Sequence, residues 1–324
     1  MIIAGQITAT TVYLVVVQNT NGELRLITPM NYVTNEFSGF TQILKLYLKK
    51  INKPIKFACF GIAGPVINNE VQTTNLPWQI KAAELEDEFS IGQVKLFNDL
   101  VATAHGLFEL KPNKIISLNE GVDSKDGHIG LIASGDGLGQ SLIYRDENNY
   151  YPYASEGGHV DFAPGNQIES DIWEYLYAEN GQVEVEDILS FQGIENIFEF
   201  LLYSKKIKQP KWYSEVNEKP QKIIEYALAG DDDLAIETID IFSDCFASET
   251  SNLALKGMTL GGIYIGGLIA KQIMMAIDKK RFMKRFVKNG KMETLLKNIP
   301  VSLILDDKTA LLGAASYAMK KNLL

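Results

Sequence analysis

The chain has 324 residues, of which 46% are hydrophobic and 22% are charged, a composition typical of a soluble globular protein. Its 31 Lys and Arg and 40 Asp and Glu give a formal net charge of −9, which argues against binding to nucleic acid or to an anionic membrane surface, because both require clustered cations. The cysteines, Cys59 and Cys245, are too few for a disulfide scaffold or a structural zinc site. The chain also lacks an apolar run of about 18 residues and a signal-peptide pattern, so we expect a cytoplasmic protein without a membrane span.

The first part of the chain predicts strands and then helices. Residues 1–5, 11–17 and 24–27 are apolar or β-branched and predict strands, with an Asn-Gly hairpin turn at residues 21–22. Residues 37–50 place apolar side chains on one helical stripe. The elements that follow are a strand at residues 56–63, a helix at about 82–89, a strand at 94–97 and a helix near 100–110.

The same plan begins again in the second half. Residues 130–134 and 141–144 predict two strands around a glycine-rich turn, in the way that residues 3–5 and 12–14 do around the first turn. This weak internal repeat indicates a duplicated architecture. The later elements are helices across residues 167–256, strands at 261–267 and 301–305 and a final helix at 308–321, with residues 205–222 as the most loop-like stretch because they contain Pro210 and Pro220.

Two sets of strands and helices predict an α/β protein with two lobes and a ligand cleft between them. We expect a small lobe formed by residues 1–105 and 309–324 and a large lobe formed by residues 106–308. Closure of such lobes around a substrate expels water before the chemical step.

Asn98 and Asp99 follow the strand at residues 94–97 and open the next helix. From spacing alone a structural interpretation is favoured, in which the Asp side chain satisfies free N–H groups at the helix start and interacts well with the helix dipole. The functional interpretation places a carboxylate at the carboxyl end of a strand, where open α/β sheets bind ligands and where it can accept a proton from a hydroxyl.

The Glu-Gly-Gly-His motif at residues 156–159 joins a carboxylate and an imidazole across two glycines. The glycines indicate a turn in which the backbone approaches a ligand closely, and the two polar side chains suit the hydroxyls of a polyol. An ordinary surface turn explains the same residues equally well.

Two glycine-rich segments border predicted strands. The Gly-Asp-Gly-Leu-Gly turn at residues 135–139 can present consecutive N–H groups to phosphate, although a plain hairpin turn is the simpler explanation. Gly266 and Gly267 end a strand before a helix that begins at Leu268, which suits either a nucleotide or close strand–helix packing. The three aspartates at residues 231–233 are most simply the start of a helix.

These motifs, taken in order, resemble the bacterial glucokinase family within the actin-like sugar-kinase superfamily. They span nearly the whole chain, and residues 156–164 together with residues 74–78 and the Asn-Asp pair at 98–99 are the most specific. The resemblance implies a two-lobed actin-like α/β fold of the duplicated ribonuclease H-like type. The matching stretches are residues 61–66 (GIAGPV), 74–78 (TNLPW), 97–100 (FNDL), 135–139 (GDGLG), 156–164 (EGGHVDFAP), 178–181 (AENG), 188–190 (ILS), 261–267 (GGIYIGG) and 311–313 (LLG).

The resemblance implies phosphorylation of glucose at the 6-hydroxyl with ATP and Mg²⁺, in an enzyme family that commonly forms homodimers. Asp99 matches the family's catalytic base. The residues that match its hexose ligands are Asn98, Asp99, Glu156, His159 and Glu179. The residues that match its nucleotide side are Gln6, Thr8, Thr10, Gly135, Asp136, Gly137, Gly266 and Gly267.

The first hairpin turn departs from the family pattern. The family's turn reads Asp-x-Gly-Gly-Thr-Asn, whereas residues 6–11 read Gln-Ile-Thr-Ala-Thr-Thr. Gln6 replaces the acidic residue, and Thr8 replaces a glycine with a β-branched side chain that makes a positive φ costly and hinders backbone approach to phosphate. In the second turn Asp136 replaces a threonine.

Asp136 leaves two interpretations of the nucleotide site open. A carboxylate about 4 Å from one phosphate charge is unfavourable by about 4 kcal/mol at an effective dielectric of about 20, whereas a Mg²⁺ ion that bridges Asp136 and the phosphates reverses the sign. In the first interpretation Asp136 is a metal ligand and the protein is a working kinase. In the second, the hexose site persists while phosphoryl transfer is lost, which leaves a glucose-binding protein with a regulatory or sensing role.

Overall fold

The computed structural model describes residues 1–20, 23–74, 76–122, 124, 127–147, 149–274 and 279–322. The predicted Asn-Gly turn at residues 21–22 and Asn75 of the TNLPW motif lie outside the described residues. Across those ranges, no helix has the length and apolar character needed to cross a lipid bilayer.

Strands and helices alternate along the chain much as the sequence predicts. The strands are β1 (Ile2–Ile7), β2 (Thr11–Thr20), β3 (Glu23–Val33), β4 (Phe57–Ile62), β5 (Val66–Ile67), β6 (Glu70–Gln72), β7 (Gln79–Lys81), β8 (Val94–Asn98), β9 (Ile115–Asn119), β10 (Ile129–Ser134), β11 (Leu138–Asp146), β12 (Asn149–Ser155), β13 (Ile263–Gly266) and β14 (Val301–Ile304). The helices are α1 (Phe40–Ile51), α2 (Ala82–Phe89), α3 (Asp99–Gly106), α4 (Gln167–Asn180), α5 (Phe191–Lys205), α6 (Lys211–Ser214), α7 (Lys219–Ala229), α8 (Asp233–Gly257), α9 (Leu268–Met274), α10 (Lys279–Phe286), α11 (Glu293–Lys297) and α12 (Thr309–Asn322).

The first compact unit consists of Met1–Pro112, Pro152–Ala154 and Asp306–Leu324. Its five-stranded sheet has the order β3-β2-β1-β4-β8, in which β1 pairs antiparallel with β2 and parallel with β4, and β4 pairs parallel with β8. Successive side chains of a strand face opposite sides of the sheet, so Ile3 of β1 packs with residues of α1 while Ala4 packs with residues of α12. The sheet is therefore covered on both faces.

The second compact unit consists of Asn113–Tyr151 and Ser155–Leu305. Its six-stranded sheet has the order β12-β11-β10-β13-β14-β9, in which β10 pairs antiparallel with β11 and parallel with β13. The long helix α8 contacts β10 and also helices α5, α7 and α10. Phe242, Phe246 and Leu253 of α8 are buried, so this helix forms the centre of the unit's core.

Each unit contains the same supersecondary arrangement. An antiparallel hairpin, β1–β2 in one unit and β10–β11 in the other, pairs through its first strand with a parallel strand that comes later in the chain. The internal repeat predicted from the sequence is thus present in the strand topology.

Residues 205–222 contain more helix than the sequence predicts. Helix α6 begins directly after Pro210, and Pro220 occupies the first turn of α7. Proline has no backbone N–H, which is harmless in the first helical turn because N–H groups there have no partner within the helix. Its fixed φ also suits a helix start. The two prolines that indicated a loop instead mark where two short helices begin.

Candidate active site

The end of β8 and the start of α3 carry the predicted Asn-Asp pair. Asn98 is the N-cap of α3, because its Oδ1 accepts a hydrogen bond from the backbone N–H of Leu100 at 2.9 Å. Its Nδ2 donates to the carbonyl oxygen of Gly64 at 3.2 Å, which ties the Gly-Pro turn after β4 to the helix start. Oδ1 of Asp99 accepts from the same Leu100 N–H at 2.9 Å. The predicted capping role is present, but the N-cap is Asn98 and not Asp99, which is the first helical residue and accepts from the same N–H.

Asp99 is half-buried at the first residue of a helix that follows a strand of a parallel pair. The partial positive charge of a helix N-terminus stabilises a carboxylate at this position. The backbone bond from Leu100 restricts the rotation of the carboxyl group. These features give an oriented carboxyl group at the edge of the sheet where α/β proteins bind ligands.

The Glu-Gly-Gly-His motif forms a short 3₁₀ turn at Gly157–His159, and we call residues 156–159 the hexose loop. Both glycines are buried, whereas Glu156 and His159 are exposed at its two ends. A Cβ atom on Gly157 would overlap the side-chain amide of Gln140, and one on Gly158 would overlap the carbonyl oxygen of Leu138. The backbone of the two glycines therefore lies close to strand β11. The sequence pattern had instead predicted that it lies close to a ligand.

A buried polar pair lies beneath the hexose loop. Nε2 of Gln140 donates a hydrogen bond to Oε1 of Glu249 at 2.8 Å, and Oε2 of Glu249 accepts from Nδ2 of Asn252 at 2.9 Å. Gln140 is 4% exposed and Glu249 is 6% exposed, so both depend on these bonds for polar partners. The pair joins β11 to α8 directly under Gly157.

The exposed end of the hexose loop is surrounded by carboxylates. Nδ1 of His159 lies 2.7 Å from Oε2 of Glu184. This hydrogen bond raises the pKa of His159, partial burial opposes the rise, and the charges of Glu186, Glu184 and Glu156 add to it. The sequence analysis did not single out Glu184 or Glu186, which lie just before the Ile-Leu-Ser stretch.

Glu186 connects the hexose loop to the turn between β10 and β11. Its Oε2 accepts a hydrogen bond from the N–H of Leu138 at 2.7 Å, and its own N–H donates to the carbonyl oxygen of Gly158 at 2.9 Å. A Cβ atom on Gly137 would overlap this carboxylate. Glu179, by contrast, is exposed in the last turn of α4. Burial raises the pKa of the nearby Tyr175, and the charge of Glu179 adds to that rise.

Residues 135–137 form the three-residue turn between β10 and β11, and we call them the glycine turn. The N–H of Gly135 donates to the carbonyl oxygen of Gly137 at 2.9 Å, and Asp136 is exposed at the tip. The N–H of Phe191 donates to the carbonyl oxygen of Gly135 at 2.9 Å, which fixes the turn against the start of α5.

The β13–α9 junction lies beside the glycine turn. Gly267 has a φ of +92°, and a Cβ atom there would overlap the backbone of Ser134, so only glycine fits this position. A Cβ atom on Gly135 would lie 4.0 Å from the backbone nitrogen of Leu268. The structure thus brings together two of the segments that the sequence assigns to the nucleotide.

Residues 8–10 form the turn between β1 and β2, and we call them the threonine turn. Thr8 Oγ1 accepts from the N–H of Thr11 at 3.0 Å and donates to the Thr11 carbonyl oxygen at 3.1 Å. None of these three residues has a positive φ. Gln6 precedes the turn at the end of β1, and Thr10 is exposed. The N–H of Thr8 also donates to the carbonyl oxygen of Thr11 at 2.9 Å. Side-chain hydroxyl groups thus reinforce the backbone bond of a turn that glycines form in the family pattern.

Asp136 is the predicted ligand of Mg²⁺. Within the described residues no group of three or more His, Cys, Asp and Glu is arranged to hold a metal ion. Mg²⁺ in phosphotransferases is commonly held by one or two carboxylates together with the phosphates of the substrate. Asp136 is exposed at the tip of the glycine turn, beside the β13–α9 junction, so its carboxylate fits that mode of binding. It would be one ligand among several and not a complete metal site by itself.

The predicted hexose residues are divided between the two units. Asn98 and Asp99 belong to the first unit, and Glu156, His159 and Glu179 belong to the second. The nucleotide-side residues are divided in the same way, with Gln6, Thr8 and Thr10 in the first unit and Gly135, Asp136, Gly137, Gly266 and Gly267 in the second.

Comparisons with known proteins identify the family of the chain. The chain matches the family model "Glucokinase" over residues 3–321. It is 34% identical over 339 aligned positions to a glucokinase of Trichormus variabilis, with 99% of each chain covered. It is similar to the crystal structure of a glucokinase from an Antarctic psychrotroph, with a TM-score of 0.86, 25% identity and 98% of each chain covered. It also resembles a glucokinase from Balamuthia mandrillaris in complex with glucose, with a TM-score of 0.80, 17% identity and coverage of 98% of this chain and 93% of that one.

These matches confirm the α/β sugar-kinase fold and the resemblance that the motifs indicate. The family match covers both units, so the whole chain shares the family's architecture. The chain belongs to the glucokinase family.

Proposed function

We propose that the protein transfers the γ-phosphoryl group of ATP to the 6-hydroxyl of glucose and releases glucose 6-phosphate. The observation that carries the proposal is the oriented carboxylate of Asp99, held by the Leu100 N–H at the end of β8 in a chain of the glucokinase family. In phosphoryl transfer a carboxylate positioned in this way orients the attacking hydroxyl and accepts its proton.

Several fixed polar groups hold the sugar in the proposed site. Asn98, Glu156, His159 and Glu179 match the family's hexose ligands, and the resemblance supports their assignment to sugar hydroxyls. We add Glu186 because its carboxylate is anchored between the hexose loop and the glycine turn. A site with fixed donors and acceptors discriminates strongly among polyols, since a missing hydroxyl leaves a protein group unpaired.

The nucleotide is assigned to the glycine turn and the β13–α9 junction. The family resemblance supports Gly135, Gly137, Gly266 and Gly267 as phosphate-binding residues, and the two segments that carry them are neighbours. The space beside Gly135 is open, since a Cβ atom there would meet nothing closer than the backbone nitrogen of Leu268 at 4.0 Å. Asp136 would hold Mg²⁺ together with the phosphates, and the ion would supply neutralisation of the charge that develops during transfer. Thr10 contributes a polar group from the threonine turn and Gln6 contributes one from the end of β1, while the Thr8 hydroxyl is already engaged with Thr11.

We further propose that the protein acts in the cytoplasm and forms a homodimer. Cys59 and Cys245 are buried free thiols, which suits a reducing compartment. The homodimer follows from the family resemblance, and light scattering coupled to size-exclusion chromatography measures the mass that decides it.

Formation of glucose 6-phosphate tests the proposed function. The purified protein is incubated with glucose, ATP and Mg²⁺, and product is detected with glucose-6-phosphate dehydrogenase, which reports the 6-phosphate by reduction of its nicotinamide cofactor. We expect saturable turnover that requires glucose and ATP and is abolished by chelation of Mg²⁺. Absence of turnover above a protein-free blank, at saturating concentrations of both substrates, contradicts the proposal.

A further inference from the structure

The closest polar contact of His159 is with a carboxylate from a distant part of the chain. Nδ1 of His159 lies 2.7 Å from Oε2 of Glu184, and the two side chains are 53% and 32% exposed. An ionised carboxylate can only accept hydrogen bonds, so Nδ1 must carry the hydrogen of this pair. The remaining ring nitrogen, Nε2, is then the one available to a ligand.

We propose that Glu184 is a positioning residue for His159, which fixes the orientation and the tautomer of the imidazole so that Nε2 faces the hexose. The inference rests on the proposed function, because that function assigns His159 to the sugar. A carboxylate that orients a histidine through Nδ1 recurs in metal sites and in catalytic triads, where it leaves Nε2 in a defined state.

Glu184 is itself held in place by the backbone around it. Its N–H donates to Oδ2 of Asp187 at 2.8 Å, and it forms an isolated β-bridge with Asp161. The neighbouring residue Val185 donates its N–H to the carbonyl oxygen of Val160 at 2.9 Å. The segment that carries Glu184 is therefore paired with the segment that follows the hexose loop, and the carboxylate is positioned before any ligand binds.

The pair also makes the hexose contact depend on pH. The groups whose charges act on His159 are Glu184, Glu186 and Glu156, and Asp161 and Asp187 flank Glu184. The hydrogen bond to Glu184 raises the pKa of His159, so the ring keeps its second proton to a higher pH than an ordinary histidine. The stabilisation from the charged pair is fully present below the ordinary histidine pKa and is lost as pH rises through the raised one.

The protonation state of His159 sets what Nε2 offers to the sugar. Below the raised pKa Nε2 carries a hydrogen and donates, whereas above it the Nδ1–H tautomer held by Glu184 leaves Nε2 as an acceptor. Without Glu184 the neutral ring is free to adopt either tautomer. The affinity for glucose then falls, because only part of the protein population has the productive form.

Two substitutions separate the hydrogen bond that orients His159 from the negative charge of Glu184. Glu184→Ala removes the hydrogen bond and the charge. Glu184→Gln removes the charge but keeps a side-chain oxygen that accepts from Nδ1–H. Glu174→Gln, which changes an exposed glutamate of α4, is the matched control. Nitrogen-15 NMR of the histidine rings gives the tautomer and the pKa of His159, and the signals of His159 are those that disappear in His159→Asn. Calorimetry gives the Kd for glucose across pH, and steady-state kinetics give the KM.

We expect Glu184→Ala to lower the pKa of His159, to mix its tautomers, and to raise the Kd and KM for glucose about tenfold with kcat within about twofold. Glu184→Gln should lower the pKa while it retains the Nδ1–H tautomer, and its glucose Kd above the pKa should stay close to that of the unmodified protein. Glu174→Gln should change none of these values.

If the tautomer and the pKa of His159 are unchanged in Glu184→Ala, the inference is wrong. It is also wrong if both change and the Kd for glucose does not. If the unmodified protein binds glucose but shows no turnover, the proposed function fails while the calorimetric arm still decides the role of Glu184. If it binds no glucose, both proposals fail.

Discussion

The threonine turn and the glycine turn occupy corresponding positions in the two units and differ in the side-chain hydrogen bonds that support them. Each joins the two strands of an antiparallel hairpin through three residues, 8–10 in one unit and 135–137 in the other. Both turns have a backbone hydrogen bond, from the N–H of Thr8 to the carbonyl oxygen of Thr11 and from the N–H of Gly135 to the carbonyl oxygen of Gly137, and each is also held by a residue from outside, Thr34 and Phe191 respectively. The threonine turn alone adds a side-chain bond across the turn, because the Thr8 hydroxyl accepts the N–H of Thr11.

Two hairpins of the same topology can therefore support their turns with different residue types. A threonine hydroxyl can satisfy a backbone N–H without a positive φ, whereas glycine leaves the backbone itself exposed to a ligand. Where the family pattern has glycines in both turns, this chain keeps them in the second alone. We infer that the glycine turn, with Asp136 at its tip, has the larger share of phosphate binding.

The largest expected effect is on the proposed phosphoryl transfer. Asp99→Asn should lower kcat about 10²- to 10⁴-fold, because the amide retains a hydrogen bond but cannot accept the proton of the 6-hydroxyl. Glucose binding should weaken only modestly. The coupled assay and calorimetry measure the two quantities, and a variant with near-unchanged turnover would show that Asp99 is not the base.

A substitution beside the glycine turn has the next largest effect. Gly158→Ala should lower the free energy of unfolding by about 1–3 kcal/mol, because its Cβ atom would overlap the carbonyl oxygen of Leu138 and force β11 or the hexose loop to shift. Gly39→Ala is the control, since a Cβ atom at the extended Gly39 meets nothing within 4 Å. Urea unfolding measures both, and equal stability of the two variants contradicts the packing argument.

Asp136→Thr restores the residue that the family pattern has in the glycine turn. If Asp136 is a ligand of Mg²⁺, the KM for MgATP should rise about tenfold, which corresponds to about 1.4 kcal/mol. Tighter nucleotide binding in this variant would mean that the carboxylate only repels phosphate. The MgATP titration is run at several Mg²⁺ concentrations. This separates the loss of a metal ligand from the relief of repulsion between the Asp136 carboxylate and phosphate.

The smallest expected effect sharpens the account of the threonine turn. Thr8→Val preserves the β-branched shape and removes the hydroxyl, so the N–H of Thr11 loses its acceptor and stability should fall by about 1 kcal/mol. Thr10→Val changes an exposed threonine of the same turn and should leave stability nearly unaltered. Similar melting temperatures for the two variants would show that the Thr8 hydroxyl does not close the turn.

Local patterns predicted the elements that carry the Asn-Asp pair and the two hairpins. The strand at residues 94–97, a polar cap at the start of the next helix and the glycine turn all depend on residues close together in the chain, and the structure has each of them, although the N-cap is Asn98 where Asp99 was predicted. Helix α2 at Ala82–Phe89 matches its predicted bounds, because its apolar spacing is regular.

Contacts between distant segments were not predictable from those patterns. Glu184 lies 25 residues after His159, and Glu249 lies 109 residues after Gln140, so nothing in their local sequence indicates that they meet. The two glycines of the hexose loop were interpreted as space for a ligand, whereas in the structure they make room for Gln140 and Leu138. The same residue type serves both purposes, and only the folded backbone distinguishes them.

Binding of MgATP to glucose-saturated Asp99→Asn tests most directly whether a chain with the threonine turn retains a nucleotide site. This variant should bind both substrates without consuming them, so calorimetry can reach equilibrium. We predict saturable binding of one MgATP per chain that is weakened when Asp136 is also replaced by threonine. Absence of binding, in a variant that still binds glucose, would contradict the assignment of this protein as an ATP-dependent kinase.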